Sequence, residues 1–464
     1  MQEQNPPPVR SRPLVLWTVA AFAVLAAAAA VRVRDWSYGA DTGTFVQIVL
    51  DGWGGMHNGV EQTTHYRFHW SPVLALLTPL VRLSGPLAGW VLQAIAAAAA
   101  VACAPLLAAI ARPRVPAFAD RIGAVALLYP PLVALGFGEF RDLVLLPPLA
   151  LGWWLALERR AWAWVLPLAA VMALLREDVC LELAVVGTGL ALAAVRGGDR
   201  ARAAAAGASA VLGLISVACY AVLVLPRVGP WPPSHFYSYP FANGPRELLL
   251  APLTHPLAFL AAIATVGRLT YLLEAFVPLA LLPLRSRRIW AALPGFAIVL
   301  LANSGLVWRM GMHYAALWIP WTLIALPDAI GQLRRPARWT NAVLVLCAIV
   351  LVAFSPLHPT HYLKPSYHAL DDARRALACV PRGAWVATHD EWFSAEAATR
   401  PGVAVISGDL RPETMHALYL VVAEDYPNRS FQDEAVPQLH ALVRSGVWRP
   451  VCRFGAVTTY IKPF

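Results

Sequence analysis

Eleven long apolar blocks govern what this chain can become. The first covers residues 14–31, and the others lie near 86–111, 122–138, 143–157, 161–175, 179–195, 205–225, 257–284, 289–305, 313–330 and 339–354. A helix crossing a bilayer needs about 20 predominantly apolar residues, so each block is a candidate crossing, the shorter ones extended or tilted. Lipid offers the backbone no hydrogen-bond partners, which leaves helices and closed barrels as spanning structures. The blocks lack the alternation of barrel strands, so helices are expected. Only 14% of the residues are charged and 58% are hydrophobic, against about 25% charged in soluble domains. The chain reads as a polytopic, mainly α membrane protein.

The net charge of +10 follows a pattern that argues against a nucleic-acid surface. With the N-terminus inside, alternating the eleven spans puts Arg112, Arg114 and Arg121, then Arg159 and Arg160, Arg196, Arg200 and Arg202, Arg285, Arg287 and Arg288, and Arg334, Arg335 and Arg338 on one side. This is the positive-inside pattern of a bacterial plasma-membrane protein. The acidic residues and histidines concentrate opposite. The half-length run 71–83 fits this count only as a re-entrant or interfacial helix that returns to the outer face.

Three segments follow from this topology: a cytoplasmic tail (1–13), a membrane domain (14–354) with an outer loop 32–85, and an extracytoplasmic α/β domain (355–464). In the last, short strands are expected at 384–388, 403–407, 418–423, 450–454 and 457–461, with helices at 367–380 and 431–443. His389-Asp390-Glu391 reads as solvated surface. Cys379 and Cys452 fall in this region and could pair if it lies outside the cell. The other four cysteines sit in apolar blocks and read as packed thiols.

Polar residues fit for chemistry recur on the outer side. Asp41 follows the first span; it could be a reactive carboxylate or the N-cap of a helix over 44–50. His65 and His69 are four residues apart, a spacing open to a metal, a phosphate or a pair of interfacial histidines. Glu139, Arg141 and Asp142 fill one tight turn. Arg176, Glu177 and Asp178 fill another, and Arg309, His313 and Tyr314 form a third cluster. Each could be ion pairing at helix ends, whereas their convergence would make an active site or a permeation path. Nucleotide-binding loops, nucleophile elbows and HExxH are absent from the sequence. No cofactor is indicated, with a divalent metal left open.

Asp41, Gly43, Phe45 and Gln47, then Phe68-His69-Trp70-Ser71-Pro72 leading to Leu80, resemble the bacterial membrane family called domain of unknown function 2079. Arg176-Glu177-Asp178-Val179, His313-Tyr314 and Val386-Ala387-Thr388 are similar to it as well. Glu139-Phe140-Arg141 stands where that family carries Asp-Phe-His; arginine cannot ligate a metal and suits phosphate instead. The family is grouped with the type C glycosyltransferases. The resemblance therefore implies transfer of a sugar from a polyprenyl-phosphate lipid to an envelope acceptor at the outer face. Asp41 and Glu139 would be the catalytic acids, with Gln47, His65, His69, Arg141, Asp142, Glu177, Asp178, Arg309, His313 and Tyr314 around the substrate. The alternatives are a transporter or flippase of a lipid or polar solute, and a non-catalytic envelope assembly protein.

Overall fold

The computed structural model describes residues 12–229, 235–354, 370–406, 410, 417–428 and 431–463. The tail 1–11, the segment 230–234 and residues 367–369 of the expected C-terminal helix lie outside them. The N-terminal three quarters is a helical bundle. Its helices up to residue 219 are α1 (Arg12–Arg34), α2 (Ala40–Leu50), α3 (Thr78–Ser84), α4 (Ala88–Ala111), α5 (Ala119–Leu128), α6 (Pro130–Phe137), α7 (Leu146–Glu158), α8 (Trp162–Ala173), α9 (Glu177–Arg196) and α10 (Arg200–Cys219).

Helix α4 is the hub, packed against α1, α5, α6 and α7. Ala96, Ala100, Ala104 and Ala108 are all buried along it. Their spacing of four lays a stripe of small side chains down one face, and small faces let helices approach closely where lipid provides no hydrophobic drive for association. The other faces are lipid-like: Leu16, Val24, Leu192, Val195 and Val352 are large, apolar and exposed.

Among the described residues, five helical segments are long and apolar enough to cross a membrane unaided, and two bent pairs raise the number to seven. The remaining expected spans are built from shorter pieces. The block 257–284 is not one helix: Pro245–Thr254 and Pro256–Ile263 meet at 118°, and Val266–Phe276 follows as a separate piece. Pro256 and Pro278 cannot continue a helical ladder. Arg268, inside this block, is buried and donates to the carbonyls of Ala262, Leu300 and Ala302 and to the Tyr239 hydroxyl, all within 2.6–2.7 Å. It satisfies carbonyls that the breaks release, which mean hydropathy does not reveal. The run 71–83 folds as a 3-10 turn, Pro72–Leu77, followed by α3. It packs beside α2 and α4, tied to α2 by Thr78 Oγ1 donating to Val49 O (2.8 Å) and by Arg82 donating to Leu50 O (2.9 Å).

Charged groups gather at both ends of the bundle. At the C-terminal ends of α4 and α7, Glu158 pairs with Arg114 (2.5 Å) and Arg288, and both arginines approach Asp328 at 3.9 Å. Two of the expected inner-face arginines thus close a neutral cluster. The other cluster lies at the opposite ends of the same two helices.

The C-terminal region carries a five-stranded sheet: β1 (Val386–Thr388), β2 (Val403–Val405), β3 (Tyr419–Ala423), β4 (Arg449–Phe454) and β5 (Val457–Ile461), in the order β2-β1-β3-β5-β4. β1 runs parallel to β2 and β3, and β5 runs antiparallel to β3 and β4. A disulfide joins Cys379 to Cys452. His389-Asp390-Glu391 is not solvated surface. His389 is buried, stacks on the Tyr426 ring at 3.9 Å, and accepts a hydrogen bond from Ala423 N (3.0 Å). Asp390 and Glu391 open the helix Asp390–Glu396, which packs on α2. The triplet is polar in sequence, yet Tyr426, more than thirty residues away, covers His389 and donates to Glu391.

Candidate active site

Helix α2 begins at Ala40, so Asp41 lies in its first turn and is not its N-cap. The cap residue, Gly39, has no side chain with which to satisfy the free amides. Glu139, from the turn between α6 and α7, supplies that function from a distance: it accepts from Gly39 N (3.1 Å), Thr42 N (2.8 Å) and Thr42 Oγ1 (3.4 Å). A carboxylate at a helix N-terminus also meets the favourable end of the helix dipole. Burial pushes the Glu139 carboxyl up, and the Thr42 amide and neighbouring Arg32 oppose that shift. A Cβ at Gly39 would stand 2.7 Å from Glu139 Oε1, so a side chain there would displace the capping carboxylate.

Asp41 projects from the capped turn and forms an ion pair with Arg141, two residues beyond Glu139. Its carboxylate keeps 36% of its side-chain surface exposed, and Arg141 keeps 22%. Burial pulls the Arg141 guanidinium down to about 10, so it remains charged at neutral pH. One short loop therefore holds both the helix bearing Asp41 and the cation facing it.

Asp142 extends the network. It is buried, accepts from Ser71 Oγ (2.5 Å) and from its neighbour Leu143 N (2.8 Å), and lies 3.8 Å from Arg176. Arg176 is buried, pairs with Asp178 (3.1 Å) and sits 5.3 Å above the Tyr314 ring. Glu177 accepts from His69 Nδ1 (2.8 Å) and Trp70 N (2.8 Å), which fixes the loop 68–71 against the start of α9. The His313 and Tyr314 rings lie at a tilt with centroids 4.0 Å apart, and the buried His313 Nε2 has no hydrogen-bond partner among the described residues. Three clusters that are remote in sequence thus meet at one end of the bundle.

Not every expected residue joins them. His65 and His69 do not ride one helix face, because only His65–Arg67 is helical, as a 3-10 turn. Their rings remain 5.5 Å apart, but each imidazole serves a different carboxylate: His65 Nδ1 contacts Glu61 at 2.9 Å. No group of three or more His, Cys, Asp or Glu residues with metal-holding geometry occurs among the described residues. Arg309 is exposed and forms no ion pair among the described residues. Gln47 is buried and fully engaged, its Nε2 donating to Val403 O (3.0 Å) and its Oε1 accepting from Gly59 N (2.7 Å).

Gln47 belongs to a contact that the sequence did not disclose. Ser394 Oγ accepts from Gly43 N (2.9 Å) and donates to Gly39 O, while the Phe393 ring fills the space where a Gly43 Cβ would be. The C-terminal region thus clasps the two residues that flank Asp41. Arg32 was also passed over. It donates to Phe137 O and Ser37 O and lies 3.8 Å from the Tyr38 ring centroid, bracing the loop before α2. A signal for it existed, since an arginine at the outer end of the first span departs from the positive-inside pattern.

A hub of crossing and broken helices, charged at both ends and with a small α/β region docked at one of them, is a type C glycosyltransferase-like fold. The crystal structure of ArnT from Cupriavidus metallidurans bound to undecaprenyl phosphate superposes on the chain with a TM-score of 0.60 at 13% identity, covering 97% of this chain and 98% of ArnT. The chain belongs to the DUF2079 family of predicted membrane proteins, whose model matches residues 41–453. No curated protein sequence matches it.

Proposed function

We propose that the protein is a membrane glycosyltransferase that moves a sugar from a polyprenyl-phosphate lipid to an acceptor hydroxyl at the outer face of the plasma membrane. The observation that carries this proposal is the Asp41–Arg141 pair, held at a capped helix start beside a network of buried charge. Undecaprenyl phosphate in the ArnT structure supports a lipid of that class as donor. The Cys379–Cys452 disulfide and the one-sided arginines support an oxidising, outer location for the C-terminal region.

In this mechanism the lipid phosphate takes the Arg141 guanidinium from Asp41, since arginine's planar fork suits phosphate oxygens. The released carboxylate accepts the proton of the acceptor hydroxyl, whose oxygen bonds to the anomeric carbon. The bond from that carbon to the phosphate oxygen breaks, and the lipid phosphate leaves carrying the electron pair, stabilised by Arg141. Glu139 positions Asp41. Arg176, held by Asp142 and Asp178, ties the two turns of the site together. Incubating the purified protein in liposomes with a panel of radiolabelled polyprenyl-phosphate sugars tests the proposal. Release of labelled sugar from at least one donor supports it, and intact donors throughout would refute it.

A further inference from the structure

A cavity of about 860 Å³ lies between the outer loop and the C-terminal sheet. Its volume falls within the roughly 300–1,000 Å³ range of small-molecule sites. Helix α2 forms part of its wall through Gln47 and Leu50. Leu50 follows Asp41 by nine residues, so at about 1.5 Å of rise per residue the wall extends roughly 14 Å from that carboxylate.

The lining has a definite chemistry. Trp385, at the edge of β1, contributes an indole that is 50% exposed. The loop residues Asp51, His57, Gln62 and Thr63 also line the cavity. Asp51 Oδ2 accepts hydrogen bonds from the His57 backbone N (2.8 Å) and Nδ1 (2.9 Å). The Gln62 and Thr63 side chains make no hydrogen bond among the described residues. Gln62 also holds a left-handed backbone (φ 53°), a conformation that costs a non-glycine residue energy and persists where the surroundings impose it. The facing wall is built of small residues, Ala397, Ala398 and Ala404, which leave room for a ligand.

An exposed indole, a primary amide, a hydroxyl and a carboxylate–imidazole pair suit a ligand with apolar C–H faces and many hydroxyl groups. An acyl chain would leave these polar groups unpaired, and an anion would meet the Asp51 carboxylate. We infer that this cavity binds a neutral saccharide chain, the acceptor, with Trp385 stacking on a sugar face and Gln62 and Thr63 hydrogen-bonding its hydroxyls. The inference rests on the transferase reading for the word acceptor, but the cavity's ligand class is tested by binding alone.

The experiment is saturation-transfer NMR on the full-length protein in detergent, with a panel of α- and β-linked glucose, galactose and mannose trisaccharides. At least one trisaccharide should give transfer signals that fall roughly tenfold in Trp385→Ala and in Gln62→Ala, both at exposed positions, and persist in Asp41→Asn. A trisaccharide that binds in a protein inactive toward every donor would sustain the cavity and overturn the transferase. Absence of binding by the whole panel, signals unchanged in both cavity variants, or displacement by a fluorescent acyl probe with no saccharide signal would overturn the cavity assignment.

Discussion

At the residue scale, the proposed mechanism gives Asp41 and Arg141 the work that the sequence spread over a dozen side chains. A base must be near the reacting hydroxyl and free to take its proton, and Asp41 keeps 36% of its side chain exposed, against 1% for Asp142, 9% for Glu177 and 19% for Asp178. Glu139 faces inward and is spent on three donors. Arg141→Ala should lower kcat/KM by roughly 10²-fold or more, in the range of removing one transition-state charge stabiliser. Arg141→Lys should recover only part of that loss, because lysine offers a point charge in place of a fork. Steady-state kinetics on the preferred donor would show it, and full activity in the lysine variant would argue against bidentate phosphate contact. Gly39→Ala places a methyl 2.7 Å from Glu139 Oε1. It should remove the cap and activity together while the protein still elutes as a folded species. These roles were half legible in sequence. The polar clusters stood out because lipid-facing chains carry few charges, but no local signal separates a base from a cap when one loop supplies both partners.

At the element scale, α2 has no stabilising cap of its own, and other parts of the chain hold it in place. Glu139 holds its first amides, Ser394 bridges Gly39 and Gly43, and Gln47 joins it to β2. Ser394→Ala removes a group that both donates and accepts. At about 1 kcal/mol per hydrogen bond, amide exchange in the first turn of α2 should accelerate several-fold, and unchanged exchange would show the contact to be incidental. His389 gives the sheet a pH limit. Burial lowers its imidazole to about 3, so the folded region holds it neutral while the unfolded chain protonates near pH 6.5. The unfolded state then binds more protons as pH falls below 6.5, and stability is lost from there down to about pH 3, at up to about 1.4 kcal/mol per pH unit. Protection of the Ala423 amide, measured at pH 7 and pH 5 and corrected for intrinsic rate, should decline, and His389→Gln should flatten that decline.

All five strands emerge where period-two patterning places them, because each alternates or runs apolar over its few residues. The broken helices did not emerge. A hydropathy window averages across Pro256, Arg268 and Pro278 and returns one span where the chain builds three pieces. The clasp between α2 and the helix Asp390–Glu396 was also hidden, because it joins residues some 350 positions apart.

At the scale of the whole molecule, two charged ends separated by an apolar bundle define the polarity of the protein. The neutral Glu158 cluster closes one end, and the other carries the site and the sheet. The arginine pattern in the sequence already divided the loops this way. The structure adds that the sheet is fastened to the site's own helix. Cys379 and Cys452, 73 residues apart, tie the first helix of the C-terminal region to β4. Alkylation should shift the mass at these two positions only after reduction, and Cys379→Ser should destabilise this region by about 2–4 kcal/mol. Free thiols at both positions in protein isolated from the envelope would contradict an outer location.

The most direct test compares the wild-type protein with Asp41→Asn in liposomes, on the donor that the panel selects, measuring donor binding and single-turnover transfer together. A general base is worth about 10²–10⁴-fold. The transfer rate in Asp41→Asn should therefore fall by at least about 10²-fold, with lipid-phosphate binding retained because Arg141 is left intact. Transfer at the wild-type rate in the asparagine variant would contradict the central role given to Asp41.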